Sequence, residues 1–431
     1  MYDQNKTIQV NLKPIYMLPQ TELKKQMVDK KNHSISLVND NAPKEIKENA
    51  HILDDHFDMG YAYSISKLLI QFINDGYFRI KFIGFDELPQ RNNPDAPLIY
   101  ASNHSGMAFP WDAISFVSGL FEKSDFNLKN SVRAITAPAL SRSKFMNPFI
   151  LPNFWKKLGA LDATWLNYET AMHTNASNVL VYPEGVPGIG KGFDNKYTLQ
   201  RLATSTLRMS IKYKTDIIPF ATVNGEYINP FSYSVSIIND FVQKLGIPFL
   251  PLGFMTTMIP IQPWLFYFAF PANLTFVRGK RISPYKMIGE KNIEDISEEE
   301  IYELSEKIHD QMQIELDKAV ELYGQKPYNL MDLLEVNTKN IGRAFKFFPA
   351  LWPIIFKQHF NSFNQLKKEL TKEQEYPKEF EKQLELVKPE VDKQKELDIS
   401  VSSVVDTLME NPEILLFYTP VAGLLHIFSS K

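Results

Sequence analysis

Between residues 77 and 279, short apolar runs of strand length alternate with longer stretches of helical spacing, an alternation that points to an α/β sheet. Strand-like runs are read at 77–85, 98–101, 132–136, 179–182, 217–223 and 274–279. Helical spacing is read after Pro110, at 144–158 and at 197–212. It is also read from Tyr61, where Ile65, Leu68, Leu69, Phe72 and Ile73 recur on one face. The expectation is a mixed sheet flanked by helices over residues 58–285. A polar extension, 1–57, precedes it. A mainly helical region, 286–431, follows. It opens with the capping box Ser297–Glu300, ahead of Ile301, Leu304, Ile308, Met312 and Leu316 on one face. Within that region, 366–398 is dominated by Lys and Glu and reads as a solvated helix or a linker. Apolar aromatic stretches at 345–363 and 414–428 flank it.

The 431 residues suffice for one large domain with additions, or for two domains. The absence of cysteine excludes disulfides, thiolate metal sites and a cysteine nucleophile. A net charge of −3 gives no nucleic-acid footprint. Locally, 127–214 holds 12 Lys or Arg against 4 Asp or Glu, an excess that suits anionic headgroups or a phosphorylated donor. The N-terminus lacks an unbroken apolar h-region, so a cytoplasm-facing protein is expected. Residues 245–277 carry no charge, yet Pro248, Pro251, Pro260, Pro263 and Pro271 interrupt them. A buried or interfacial broken segment therefore fits better than a spanning helix. Trp264, Phe266, Tyr267 and Phe268 crowd its middle. Phe347, Phe348, Trp352 and Phe356 lie beside Lys346 and Lys357. Such rings favour a membrane interface, so association with a membrane surface is expected; the bland alternative is buried core.

Two polar constellations follow strand-like runs. The first is Asn103-His104-Ser105-Gly106, with Pro110-Trp111-Asp112 beyond it. A histidine at a strand end with an aspartate in the next helical turn can form a pair in which the carboxylate fixes the imidazole tautomer. Such a pair can deprotonate a hydroxyl near neutral pH. A lone histidine at a strand end is more often structural. The second constellation is Val181-Tyr182-Pro183-Glu184-Gly185, where a carboxylate can accept hydrogen bonds and the glycine lets backbone come close. Two such sites on one sheet are stronger evidence than either alone.

In this order, the motifs resemble the blocks of the glycerolipid acyltransferase superfamily that includes lysophosphatidic acid acyltransferases. Asn103-His104 through Asp112 is similar to its first block, Tyr182-Pro183-Glu184-Gly185 to its third, and Ile217-Ile218-Pro219 to its fourth. The resemblance covers about residues 77 to 285. Seven residues separate His104 from Asp112 where the common form has four, but Asn103-His104-Ser105-Gly106 with the later Pro110-Trp111-Asp112 is similar to a branch containing diacylglycerol acyltransferase-like proteins. The second block usually ends in an arginine for the acceptor phosphate, and Thr164 stands there. The resemblance implies transfer of a fatty acyl group from acyl-CoA, or from an acyl carrier protein thioester, to a glycerolipid-type hydroxyl. His104 would be the base and Asp112 its orienting partner. Asn103, Ser105, Gly106, Glu184 and Gly185 would serve substrate binding. No cofactor is implied beyond the thioester co-substrate. A phosphate, if the acceptor has one, would fall to Lys191 or Arg201.

Other readings are weaker. Gly185–Lys191 satisfies G-x-x-x-x-G-K, but Gly192 stands where a P-loop has Ser or Thr. His51, Asp54, Asp55, His56 and Asp58 could ligate a metal but lie in a polar segment without a partner cluster. No G-x-S-x-G elbow exists for a serine hydrolase. A non-catalytic lipid-binding or membrane-tethering protein on the same fold remains the alternative from another class.

Overall fold

Seven strands build one sheet: β1 (Lys81–Ile83), β2 (Ile99–Ser102), β3 (Val132–Thr136), β4 (Leu161–Asp162), β5 (Asn178–Val181), β6 (Ile217–Val223) and β7 (Thr275–Arg278). Their spatial order is β1-β7-β6-β2-β5-β3-β4, and every neighbouring pair is parallel except β6 with β7. The computed structural model describes residues 33–106, 109–142, 146–235, 237, 239–240, 252–339, 348–394, 397 and 399–420. Strands β2, β5 and β6 are buried along their whole length, which is why they read as unbroken apolar runs rather than alternating ones.

Helices cover both faces. One face carries the helix Met59–Ile65 and its π-helical continuation to Phe78, the helix Trp111–Lys123, and two helices from the C-terminal region, Trp352–Leu370 and Phe380–Gln394. Trp352 packs against Tyr77 and Trp111, at ring separations of 5.2 and 4.6 Å. Asp58 ties the same elements together. It caps Tyr61 N at 3.0 Å and accepts from Tyr376 Oη and Lys367 Nζ, both at 2.7 Å. The other face is covered by Trp165–Met172, Ser205–Lys212 and the long helix Glu298–Tyr323. Its capping box is formed, and Ile301, Leu304, Ile308, Met312 and Leu316 are buried.

Four expectations shift. Of the run 77–85, only 81–83 pair as a strand, because Tyr77 and Phe78 finish a helix that Arg79 ends in the left-handed region at φ 46°. Of 197–212, only Ser205–Lys212 is helical. The amides of Tyr197, Leu199 and Gln200 bond side chains of Glu226, Gln313 and Glu184, so they cannot bond a helix. The Lys/Glu segment, where described, holds the end of the helix Trp352–Leu370 and the docked helix Phe380–Gln394, in which Phe380, Gln383, Val387 and Val391 are buried. Of 144–158, the described part is broken at Pro148 and at Asn153 (φ 54°) into the short turns Pro148–Ile150 and Phe154–Lys157.

Several readings fall partly outside the described residues: 1–32 of the extension, 144–145 of that expected helix, 245–251 of the uncharged stretch, 345–347 and 421–428 of the aromatic stretches, and 395, 396 and 398 of the Lys/Glu segment. Where described, the uncharged stretch forms the short helical turns Phe254–Met258 and Pro263–Tyr267 and then enters β7 at Thr275. Among the described residues no helix is long and apolar enough to cross a membrane. Trp352 and Phe356 are core residues, whereas Phe348, Phe254 and Ile261 are exposed.

Candidate active site

Because β2, β5 and β6 run parallel and side by side, the loops leaving their C-terminal ends meet at one edge of the sheet. Asn103 fastens the first loop to β6. Its Nδ2 donates to Thr222 O at 3.1 Å, and its Oδ1 accepts from Thr222 N at 2.7 Å. Glu184 fastens the same loop to the end of β5. One carboxylate oxygen accepts from His104 N at 2.7 Å and the other from Gln200 N at 2.6 Å. Gly106 sits at φ 67°, and a Cβ there would stand 3.0 Å from Lys191 Cγ. The turn needs glycine both for its backbone and for the close approach.

The His104 ring stacks on Tyr182, with centroids 4.4 Å apart. Burial pushes its pKa down to about 3, and the nearby Lys191 charge adds to the fall, so the imidazole is neutral. Asp112, in the first turn of Trp111–Lys123, is fully buried. Burial raises its carboxyl to about 6 and the Glu226 charge pushes the same way, while the Ala113 amide and Ser105 hydroxyl offset part of the rise. Those two groups lie near the carboxylate without full hydrogen-bond geometry. His104 Nδ1, Ser105 Oγ and both Asp112 oxygens are buried with no hydrogen-bond partner. No hydrogen bond joins His104 to Asp112 in this structure.

Beside His104 lies a cavity of about 540 Å³, inside the range of roughly 300–1,000 Å³ usual for small-molecule sites. It runs between β3, β5 and the helices Met59–Ile65 and Trp111–Lys123, past Ile70, Val117, Phe121 and Val132. Among the described residues no Asp, Glu, Lys or Arg lines it, and His104 is its one imidazole.

No protein-family model matches the chain. Uncharacterized proteins of Mycobacterium tuberculosis and Mycobacterium bovis are 24% identical over 208 residues, 48% of this chain and 52% of each of theirs. One from Mycobacterium leprae is also 24% identical over 208 residues, 48% of this chain and 51% of its own. The chain spans about half the length of the curated relatives it matches. Among solved structures it is similar to the crystal structure of the 1-acyl-sn-glycerophosphate (LPA) acyltransferase PlsC from Thermotoga maritima. There the identity is 12%, covering 68% of this chain and 97% of that one, with a TM-score of 0.31.

The structure gathers most of the residues singled out by sequence, but in different surroundings. Asn103, Ser105 and Gly106 belong to the His104 loop, Glu184 and Lys191 pack against it, and none of the five lines the cavity. Asn103, Glu184 and Lys191 turn to neighbouring loops because a buried polar side chain needs partners, and backbone groups and opposite charges supply them there. Of the expected substrate contacts, only Gly185, at φ 59°, stands on the cavity wall. Lys191 is buried against Glu226 and Glu184 at 3.4 and 3.9 Å, and donates to Thr198 O at 3.1 Å. Arg201 is exposed and lies over the Tyr302 ring at 4.7 Å. Thr164 lines the cavity while its hydroxyl caps Asn167 N at 3.2 Å. In the polar N-terminal cluster, Asp54 bonds His33 at 2.9 Å and His51 lies 3.8 Å from Asp55.

Sequence reading missed Glu226 and the stacking role of Tyr182. Glu226 follows the C-terminal end of β6 by three residues. The rule that picked out His104 and Glu184, a polar residue just past a strand end, applies to it equally.

Proposed function

We propose that this chain is an acyltransferase that moves a fatty acyl group from acyl-CoA, or another acyl thioester, to the hydroxyl of a glycerolipid-type acceptor. The observation that carries this reading is an apolar cavity, free of charged side chains among the described residues, with one neutral imidazole on its wall. An acyl chain matches such a cavity, because every methylene it removes from water contributes about 0.8 kcal/mol and no buried charge opposes it.

In the proposed reaction the His104 imidazole takes the proton from the acceptor hydroxyl. The hydroxyl oxygen attacks the thioester carbonyl, the carbon–sulfur bond breaks, and the thiolate leaves with a proton. Asp112 orients the imidazole. The motivation is that His104 Nδ1 and both Asp112 oxygens lack partners, and one ring rotation that joined them would satisfy a donor and an acceptor together. Glu184 shapes the loop through the His104 amide rather than by touching substrate.

The acceptor is read as a neutral lipid alcohol, in keeping with the diacylglycerol acyltransferase-like branch. Thr164 stands where an arginine would grip phosphate, Lys191 is buried in ion pairs, and Arg201 lies off the cavity. The enzyme is read as acting at the cytoplasmic face of a membrane, where exposed Phe254 and Ile261 would meet lipid.

The test is thiol release from acyl-CoA in the presence of diacylglycerol or lysophosphatidic acid. His104→Ala, folded, should lose roughly 10²–10⁴-fold in turnover, the usual worth of a general base. Near wild-type turnover by His104→Ala would remove the mechanism. A strong preference for lysophosphatidic acid would reject the neutral acceptor.

A further inference from the structure

Beneath the His104 loop, charged side chains from the two ends of the short helix Gly185–Gly190 and from the turn Gly225–Ile228 meet in the interior. Lys191, Glu184 and Glu226 are all buried, the lysine side chain to within 1% of full burial. Each of the three also holds backbone of the segment 197–200: Lys191 through Thr198 O, Glu226 through Tyr197 N at 2.9 Å, and Glu184 through Gln200 N. Glu184 alone reaches the His104 amide as well.

The two carboxylates stand in surroundings that disfavour their charge, and Lys191 is the cation that opposes this for both. Loss of the Lys191 charge would remove the cation 3.9 Å from Glu184 and shift that carboxyl further toward its protonated form. One oxygen would then become a donor, facing an amide of His104 or Gln200 that needs an acceptor. Lys191 also touches the loop directly, since its Cγ and carbonyl oxygen close the space beside Gly106.

We propose that Lys191 is a positioning residue: it keeps Glu184 an ionised double acceptor, and thereby fixes the loop that carries His104. This rests on the reading of His104 as the base. The lysine is thus assigned to the architecture of the site and not to a phosphate.

Hydrogen exchange of the purified full-length chain, followed by mass spectrometry, reads the loop without reference to activity. In Lys191→Met, amides in peptides covering 101–106 and 197–204 should exchange roughly tenfold faster, the factor that one lost hydrogen bond represents. The helix Glu298–Tyr323 should keep its wild-type protection. Lys191→Gln, which can still donate to Thr198 O, serves as a second variant should methionine prevent folding, and should show the same local loss. Lys191→Arg, which keeps the charge, should restore protection. In thiol-release assays the neutral variants should lose kcat with little change in KM for the acyl thioester. Wild-type exchange at both peptides in a neutral variant would overturn the proposal, as would a rise spread evenly over the whole chain. If wild type releases no thiol from any donor, the functional reading fails, while the exchange data still decide whether Lys191 holds the loop.

Discussion

Acidification from pH 7 to pH 5 should shift the stability of two variants of this protein in opposite directions relative to wild type. Burial lowers His104 from 6.5 to about 3, so between those values the unfolded chain binds a proton that the folded chain does not. Stability from this group is complete above 6.5 and is lost as pH falls. Asp112 is raised from 3.8 to about 6, so between those values the folded chain binds the extra proton. Its effect has the opposite sign, and the fold gains stability as pH falls through 6. At 1.36 kcal/mol per unit, the histidine costs about 2 kcal/mol between pH 7 and 5 and the aspartate returns about 1. Wild type should therefore lose about 1 kcal/mol from the pair, Asp112→Asn should lose about 2, and His104→Ala should gain about 1. Urea unfolding followed by tryptophan fluorescence, at both pH values and constant ionic strength, measures each difference. His359, lowered to about 4 by burial, adds the same loss to all three proteins and cancels in the comparison. Equal losses in all three would show that neither group is desolvated as the structure has it.

Glu184→Ala leaves the amides of His104 and Gln200 buried without an acceptor, at about 1–3 kcal/mol each, so thermal or urea unfolding should show a loss of about 2–6 kcal/mol. A loss below about 0.5 kcal/mol would mean those bonds are already replaced by solvent. Val117→Trp places an indole in the cavity wall; turnover of long-chain acyl thioesters should fall while short-chain ones are retained, and equal loss across chain lengths would detach the cavity from the donor. Flotation with anionic liposomes should carry the wild-type protein to the lipid fraction, and the double charge variant Phe254→Asp, Ile261→Asp should reduce that recovery; wild type recovered wholly in the soluble fraction would reject membrane docking.

What the sequence determined follows from local physics. Apolar runs at 98–101, 179–182 and 217–223 suit strands buried on both faces, and the structure pairs β2, β5 and β6 in parallel at the centre. The capping box at Ser297 and the apolar stripe behind it specify their helix without help from elsewhere. His104, Asp112 and Glu184 were legible because they stand just beyond strands or at a helix start, where parallel topology brings polar residues together. What the sequence could not carry were relations between loops far apart in the chain. Residues 197–204 keep helical spacing, yet Glu226, Gln313 and Glu184 take their amides, and a helix has no means of competing for bonds already made. Lys191 looks like a free loop cation until Glu226, thirty-five residues on, is folded against it. Aromatic residues such as Trp352 suit a membrane surface or a core equally well, and only the presence of Trp111 and Tyr77 opposite decides for the core. Apolar periodicity says that a face is buried, whereas what buries it is fixed by tertiary packing alone.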